Sequence, residues 1–453
     1  MKKNDLIKLD ITDVTLQGVG VGHCDGIAVF VPGTVIGDFV EAHILKVKSR
    51  YAFAKINKLI TTSIHRTDCG CESYLKCGGC CFRHINYDFE LVLKENNVKN
   101  SLKRIGGAEP VFEPIVGLSP NAYRNKCQYP VASDKKGIHI GFYSAHSHRV
   151  VDCPDCVLQP EEFSSAVKLF KSFVEQNGIS VYDEASGVGT IRHLYMRKAV
   201  VTGELMLCVV INGDELPFSD KLIETLKAKF GDALKTIVVN INTEKTNVIL
   251  GEECKTLYGD GYITDILCGV KVRISPLSFY QVNHDVAELL YKKAWEYAEP
   301  KGKTVLDLYC GAGTIGLSMA SSAKEIIGVE IVPEAVKDAE FNAKNNGFDN
   351  TRFICDDAAG AAKKLKSEGI SPDVIIVDPP RKGCDAELIK TIAEDFAPER
   401  VVYISCDPAT LARDCKAFDA LGYTAIKAAP FDMFPRTGHC ESAVCLTRKT
   451  NLT

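Results

Sequence analysis

The sequence predicts an α/β protein in three parts. These are an OB-like β-barrel over 1–62, a central α+β unit over 63–280, and a Rossmann-like sheet over 281–453, parallel with one antiparallel strand. Three observations predict it. Residues 7–60 alternate apolar and polar positions and are broken by glycines, as in a small barrel. Residues 113–280 read mostly as strands around one helix near 160–176. From about 284, near-continuous apolar strands alternate strictly with helices, which marks a parallel sheet covered on both faces.

Composition bounds the function. A chain of 453 residues exceeds one core and suits several domains. No apolar run approaches a membrane span, and MKKNDLIKLDITDV lacks the apolar core of a secretory signal. The expectation is a monomer in the cytoplasm with no membrane contact. The 19 cysteines, an odd number, argue against a disulfide framework and for packing, metal binding or chemistry. Net charge is −4, but residues 1–104 carry 15 Lys and Arg against 11 Asp and Glu. Such a basic patch on an acidic protein is sufficient for a local nucleic-acid contact.

In the barrel segment, Lys46, Lys48, Arg50, Lys55 and Lys58 crowd around Tyr51 and Phe53. Basic residues beside aromatics suit a single-stranded nucleic acid, whose bases stack while its phosphates pair with cations. They equally suit a solvated barrel face. A cysteine-rich stretch fills 61–84. Residues 87–105 then have a helical pattern with a basic end, stopped by Gly106-Gly107.

The C-terminal part carries the chemistry. Its first strand ends in DLYCGAGTIGLSMA, where Gly311, Gly313 and Gly316 form GxGxxG between strand and helix. Glu330 ends the next strand, placed to hold ribose hydroxyls. This pattern serves a nicotinamide dinucleotide and S-adenosylmethionine equally well. Two features favour the methyl donor. Asp378-Pro379-Pro380-Arg381 projects a carboxylate from a rigid turn at the end of the fourth strand. The last two strands, 424–432 and 441–448, have no helix between them, so they pair antiparallel.

Ligands of open α/β sheets bind beyond the carboxyl ends of the strands. Asp378 and Cys406 end the fourth and fifth strands there, and the reversed last strand begins there with Glu441. Asp407 and Pro408 form a good helix start, so Cys406 lies just before a helix N-terminus, a setting expected to favour the thiolate. A thiolate facing a carboxylate suits one reaction well. Uracil C5 is too weak a nucleophile to attack a sulfonium methyl group. Thiolate addition at C6 makes C5 nucleophilic, and a base must later remove the C5 proton. Cys406 is the candidate nucleophile and Glu441 the candidate base.

The C-terminal half resembles the RNA uracil-C5 methyltransferases in SPLSFYQVN (275–283), DLYCGAGTIGL, VDPPRKG (377–383), YISCDPATLARD (403–414) and FPRTGHCE (434–441). The barrel resembles the TRAM domain of the ribosomal-RNA branch. The resemblance implies a class I methyltransferase sheet and S-adenosylmethionine contacts at Gln281, Tyr309, Glu330 and Asp378, beside Gly311 and Gly313. It implies a uridine of 23S ribosomal RNA as substrate. A transfer-RNA uridine methyltransferase and an inactive RNA-binding assembly protein are the alternatives. It also implies a [4Fe–4S] cluster on Cys71, Cys77, Cys80 and Cys156, with Cys69, Cys81 and Cys153 surplus. Zinc on the pairs Cys77-x2-Cys80 and Cys153-x2-Cys156 is the competing reading, although roughly seventy residues between pairs far exceeds the spacing of about 15–20 in a zinc ribbon.

Overall fold

The protein is described by a computed structural model covering residues 1–449. The N-terminal strands Leu6–Val14, Val19–Cys24, Ile27–Pro32, Phe39–Val47 and Tyr51–Thr61 close into a five-stranded barrel. Its alternating inward residues, among them Leu9, Ile11, Val29, Val31, Val40 and Ile44, form a separate small core. Phe30, Tyr51 and Phe53 stand together on its outside with ring centroids 5.4–5.9 Å apart. Tyr51 and Phe53 are exposed.

The central sheet has seven strands. Four of them, Gly137–Tyr143, Ile191–Lys198, Leu205–Ile211 and Leu234–Ile241, fall in the stretch 113–280 that reads mostly as strands. Two helices cover it. Glu161–Gln176 falls where the periodicity predicts a helix. Ser219–Phe230, unpredicted, buries Leu222 and Leu226 against the sheet, with Ile223 and Phe230 packed beside them.

The C-terminal sheet runs, in space, Thr351–Cys355, Glu325–Glu330, Thr304–Leu308, Val374–Val377, Arg400–Ser405, Glu441–Arg448, Tyr423–Phe431 and Val111–Phe112. The strand Glu441–Arg448 is inserted antiparallel between two strands that point the other way. Arg400–Ser405 and Glu441–Arg448 are buried on both faces along most of their length, which explains their continuous apolar runs, whereas Tyr423–Phe431 leaves Lys427 exposed. The domain boundaries read from sequence leave 87–116 in the central unit. In the structure this segment lies against the C-terminal sheet. Its helix Tyr87–Ser101 packs on the helix Pro408–Ala420, and Val111–Phe112 adds a parallel edge to Tyr423–Phe431.

The loop 432–440 is where the parts meet. The carbonyl of Arg436 accepts from the backbone N–H groups of Cys81 and Phe82 at 2.9 and 3.2 Å. Tyr123 of the central unit donates to the carbonyl of Pro435 at 3.1 Å. Gly438 passes so close to the barrel that a Cβ there would fall on the carbonyl oxygen of Leu16. Among the described residues, no helix is long and apolar enough to cross a membrane.

Candidate active site

A cavity of ≈ 900 Å³ opens at the carboxyl edge of the C-terminal sheet. Gln281, Tyr309, Gly311, Glu330, Asp378, Cys406 and Glu441 all line it, although they span 160 positions of sequence. The glycine-rich turn explains part of this convergence. Tyr309 has φ of 68°, a left-handed conformation that a bulky residue rarely adopts, and Gly311 and Gly313 follow at 55° and 78°. At Gly311 a Cβ would meet no atom within 4 Å, so the backbone presents open room to a ligand.

Gly313 does not line the cavity. A Cβ there would meet Phe353 and Ala339 at 3.1 and 3.2 Å, so this glycine serves close packing behind the turn. It caps the short helix Thr314–Met319. Thr314 shares a hydrogen bond with Tyr291 at 3.1 Å rather than facing the cavity. Cys440 is buried and directs its thiol to backbone carbonyls.

Glu330 accepts from the N–H groups of Gly311 and Val332 at 3.1 and 2.9 Å, which locks the turn to the end of the second strand. Gln281 is held through its backbone. Asn125 donates its side-chain amide to the Gln281 carbonyl at 2.8 Å. Beneath the turn, buried Asp307 accepts from Gly316 N–H at 2.9 Å, and its other oxygen has no partner. Burial, with Asp378 and Glu330 nearby, lifts its carboxyl to about 7.

Strand register brings Cys406 and Glu441 together. The ladder runs from Arg400 opposite Thr447 to Ser405 opposite Ser442, so its next step sets Cys406 opposite Glu441. Directly opposed residues of an antiparallel pair point to the same face. The Cys406 thiol is pushed up, not down. Burial is the main cause, followed by the Glu441 carboxylate, while Arg381 opposes both. The helix N-terminus does not offset this, because Asp407 already occupies it and accepts from Ala409 and Thr410 N–H at 3.0 and 2.8 Å. Glu441, only 5% exposed, is itself raised by burial and by Asp378 and lowered by Arg381.

Several lining residues escaped the sequence reading as site candidates: Phe279, Asp356, Arg381, Phe434 and His439. Arg381 and His439 approach to 3.5 Å across the mouth. Four of them, all but Asp356, lie inside motifs quoted above, SPLSFYQVN, VDPPRKG and FPRTGHCE, where they are neighbours of the residues chosen.

A second cavity, ≈ 250 Å³, is lined by Cys71, Cys77, Cys80 and Cys156, joined by Cys153. Arg83, Arg124 and Lys126 share its wall. Among the described residues, no three His, Cys, Asp or Glu side chains converge closely enough to hold a single ion.

Comparison with known proteins places the chain. The family described as tRNA (Uracil-5-)-methyltransferase matches residues 268–449, and the TRAM domain matches 3–56. An uncharacterized RNA methyltransferase of Clostridium tetani is 41% identical over 99% of this chain and 97% of its own length. One from Halalkalibacterium halodurans is 42% identical over 99% and 98%. The chain belongs to the RNA (uracil-5-)-methyltransferase family. A solved relative, the Pyrococcus abyssi tRNA (uracil-54, C5)-methyltransferase in complex with S-adenosyl-L-homocysteine, is 27% identical with a TM-score of 0.77, over 97% of this chain and all of that one. This RNA uracil-C5 methyltransferase depends on S-adenosylmethionine.

Asp307 supplies a test of the turn's electrostatics. Its folded pKa lies above the unfolded value near 3.9, so the native state binds the proton more tightly. Its contribution is complete below pH 4 and is lost as pH rises through about 7. Asp307→Asn keeps an oxygen for Gly316 and carries no charge. The variant should lose less melting temperature than the parent between pH 4 and pH 8, measured by calorimetry.

Proposed function

We propose that this methyltransferase methylates C5 of a uridine in 23S ribosomal RNA, with Cys406 as nucleophile and Glu441 as base. The observation that supports the mechanism is that Cys406 and Glu441 each follow directly on the last pair of the ladder, Ser405–Ser442, and line one cavity. S-adenosylmethionine supplies an electrophilic methyl group; Gln281, Tyr309, Glu330 and Asp378, around the open backbone of Gly311, are the residues that would hold it.

The Cys406 thiolate adds to uracil C6, and the electrons of the C5–C6 bond move towards O4. C5 then takes the methyl group. Glu441 removes the C5 proton, the C5–C6 double bond re-forms, and the thiolate leaves. Arg381 counters the negative charge that Asp378, Cys406 and Glu441 concentrate here. The target base has to leave its stack to reach this buried pair. Phe434, His439 and Phe279 offer flat faces around the cavity.

The choice of ribosomal RNA rests on the likeness of the barrel to the TRAM domain of the ribosomal-RNA branch alone. A uridine of transfer RNA is the second reading, and one observation favours it. The Pyrococcus abyssi enzyme that acts on transfer RNA matches 97% of this chain, a span that must include most of the barrel, so the barrel does not discriminate.

Thiols spread around the wall of one cavity support the cluster that the resemblance implies. Zinc would draw four sulfurs to a single point at about 2.3 Å, whereas an iron–sulfur cube keeps its thiolates apart around itself. We therefore assign Cys71, Cys77, Cys80 and Cys156 as ligands of a [4Fe–4S] cluster with a structural role, since methyl transfer moves no net electrons.

Three outcomes test these readings. Cys406→Ala should abolish methyl transfer, and Glu441→Gln should accumulate a covalent protein–RNA adduct on denaturing gels; wild-type turnover by either variant refutes its role. Mass mapping of 5-methyluridine in cells with and without the protein should show a missing site in 23S ribosomal RNA, and a site missing from transfer RNA instead selects the second reading. Protein purified without oxygen should be brown with iron and sulfide in equal amounts, and Cys80→Ser should lose both; stoichiometric zinc would overturn the cluster.

A further inference from the structure

Two cations and two carboxylates are buried together between the helix Tyr87–Ser101 and the loop 432–440. Glu90, Lys94 and Asp432 have no exposed surface, and Arg436 has 8%. None of the four lines the catalytic cavity. Lys94 spends all three of its protons here. It donates to Glu90 at 2.8 Å, to Asp432 at 2.7 Å and to the carbonyl of Phe434 at 3.1 Å. Glu90 also accepts the Arg436 backbone N–H at 2.6 Å and its guanidinium at 3.1 Å. The second oxygen of Asp432 accepts from Tyr87 at 2.9 Å.

This arrangement constrains the loop more than a fold needs. Three consecutive carbonyls, of Phe434, Pro435 and Arg436, are each held by a different element: by Lys94, by Tyr123, and by the N–H groups of Cys81 and Phe82. Arg436 sits at φ of 70°, a strained conformation for its type, and Glu90 grips it at both its backbone and its side chain. Removing four charges from water is unfavourable, and apolar packing would serve stability as well. What the charges supply is one geometry, since every donor of Lys94 is satisfied in only one placement of the loop. That loop carries Phe434 and His439 into the cavity wall and ends at Glu441.

We propose that Glu90, Lys94, Asp432 and Arg436 are positioning residues for methylation, fixing the loop so that Glu441 is aimed at the C5 proton of the covalent adduct. The proposal rests on the reading of Glu441 as base. It places the four residues on proton removal and, since none of them lines the cavity, leaves methyl-donor binding without a direct contact to them.

The charge-balanced double variant Lys94→Met/Asp432→Asn tests it, beside Glu441→Gln as control. Turnover should fall about tenfold or more, as expected for a misplaced reacting group. Labelled S-adenosylmethionine should bind as in the parent, and the protein–RNA adduct should persist during turnover. A folded double variant with parental turnover and no adduct overturns the proposal. So does a joint loss of turnover and donor binding, which signals general collapse. If the double variant does not fold by thermal melting, Asp432→Asn alone, which keeps an oxygen for Lys94, is read by the same criteria. Parental turnover by Glu441→Gln would instead remove the base reading itself, whatever the double variant does.

Discussion

The active site depends on the direction and register of one strand. Glu441–Arg448 runs against both its neighbours, so its first residue arrives at the edge where the other strands finish. A parallel strand in the same slot would carry Glu441 to the opposite edge of the sheet. A one-residue slip would turn its side chain to the opposite face. Register is secured along six consecutive pairs, from Arg400–Thr447 to Ser405–Ser442, by residues buried on both faces. The meeting of Cys406 and Glu441 is thus set largely by apolar packing away from the cavity.

The strand's approach is controlled as tightly as the strand. The hairpin between Phe431 and Glu441 is long enough to wander, yet it threads between the barrel, the cysteine segment, the central unit and the helix Tyr87–Ser101. The thiol cavity lies beside both sides of the site. Cys80 adjoins Cys81, whose N–H holds Arg436, and Arg124 and Lys126 flank Asn125, which holds the carbonyl of Gln281. Order in that cavity therefore bears on the loop that leads to Glu441 and on the segment that carries Gln281.

Much of this was legible because the chemistry sits in local patterns. A glycine turn, a DPPR corner and a cysteine before an Asp-Pro helix start each show in a few residues, and strand counting predicts that they share an edge. The buried charges were not legible. Glu90 and Lys94 stand i, i+4 on a helix, a spacing common on solvated faces, and their partners lie more than 330 positions away. The edge strand Val111–Phe112 is two residues long and too short to leave a period. Cys406 shows a further limit. A helix N-terminus predicts a stabilised thiolate, but its orphan N–H groups are taken by Asp407, and burial beside Glu441 prevails.

That reversal has a consequence for the proposed cycle. The Glu441 carboxylate raises the Cys406 thiol, so the two disfavour each other's negative charge. Linkage makes the effect mutual: a thiolate at 406 also holds the proton on Glu441. Addition to C6 turns the thiolate into a neutral thioether, and methylation then discharges the enolate it created. Addition only moves the charge from sulfur to the uracil enolate; methylation removes it, and Glu441 then holds its proton less tightly. Arg381 stays throughout, and its pull on Glu441 is then less opposed. In the proposed cycle the base thus becomes competent only after methylation, when the C5 proton must be taken. Placing two like-charged groups opposite each other thus orders the sequence of proton transfers, which an isolated low-pKa cysteine would not do.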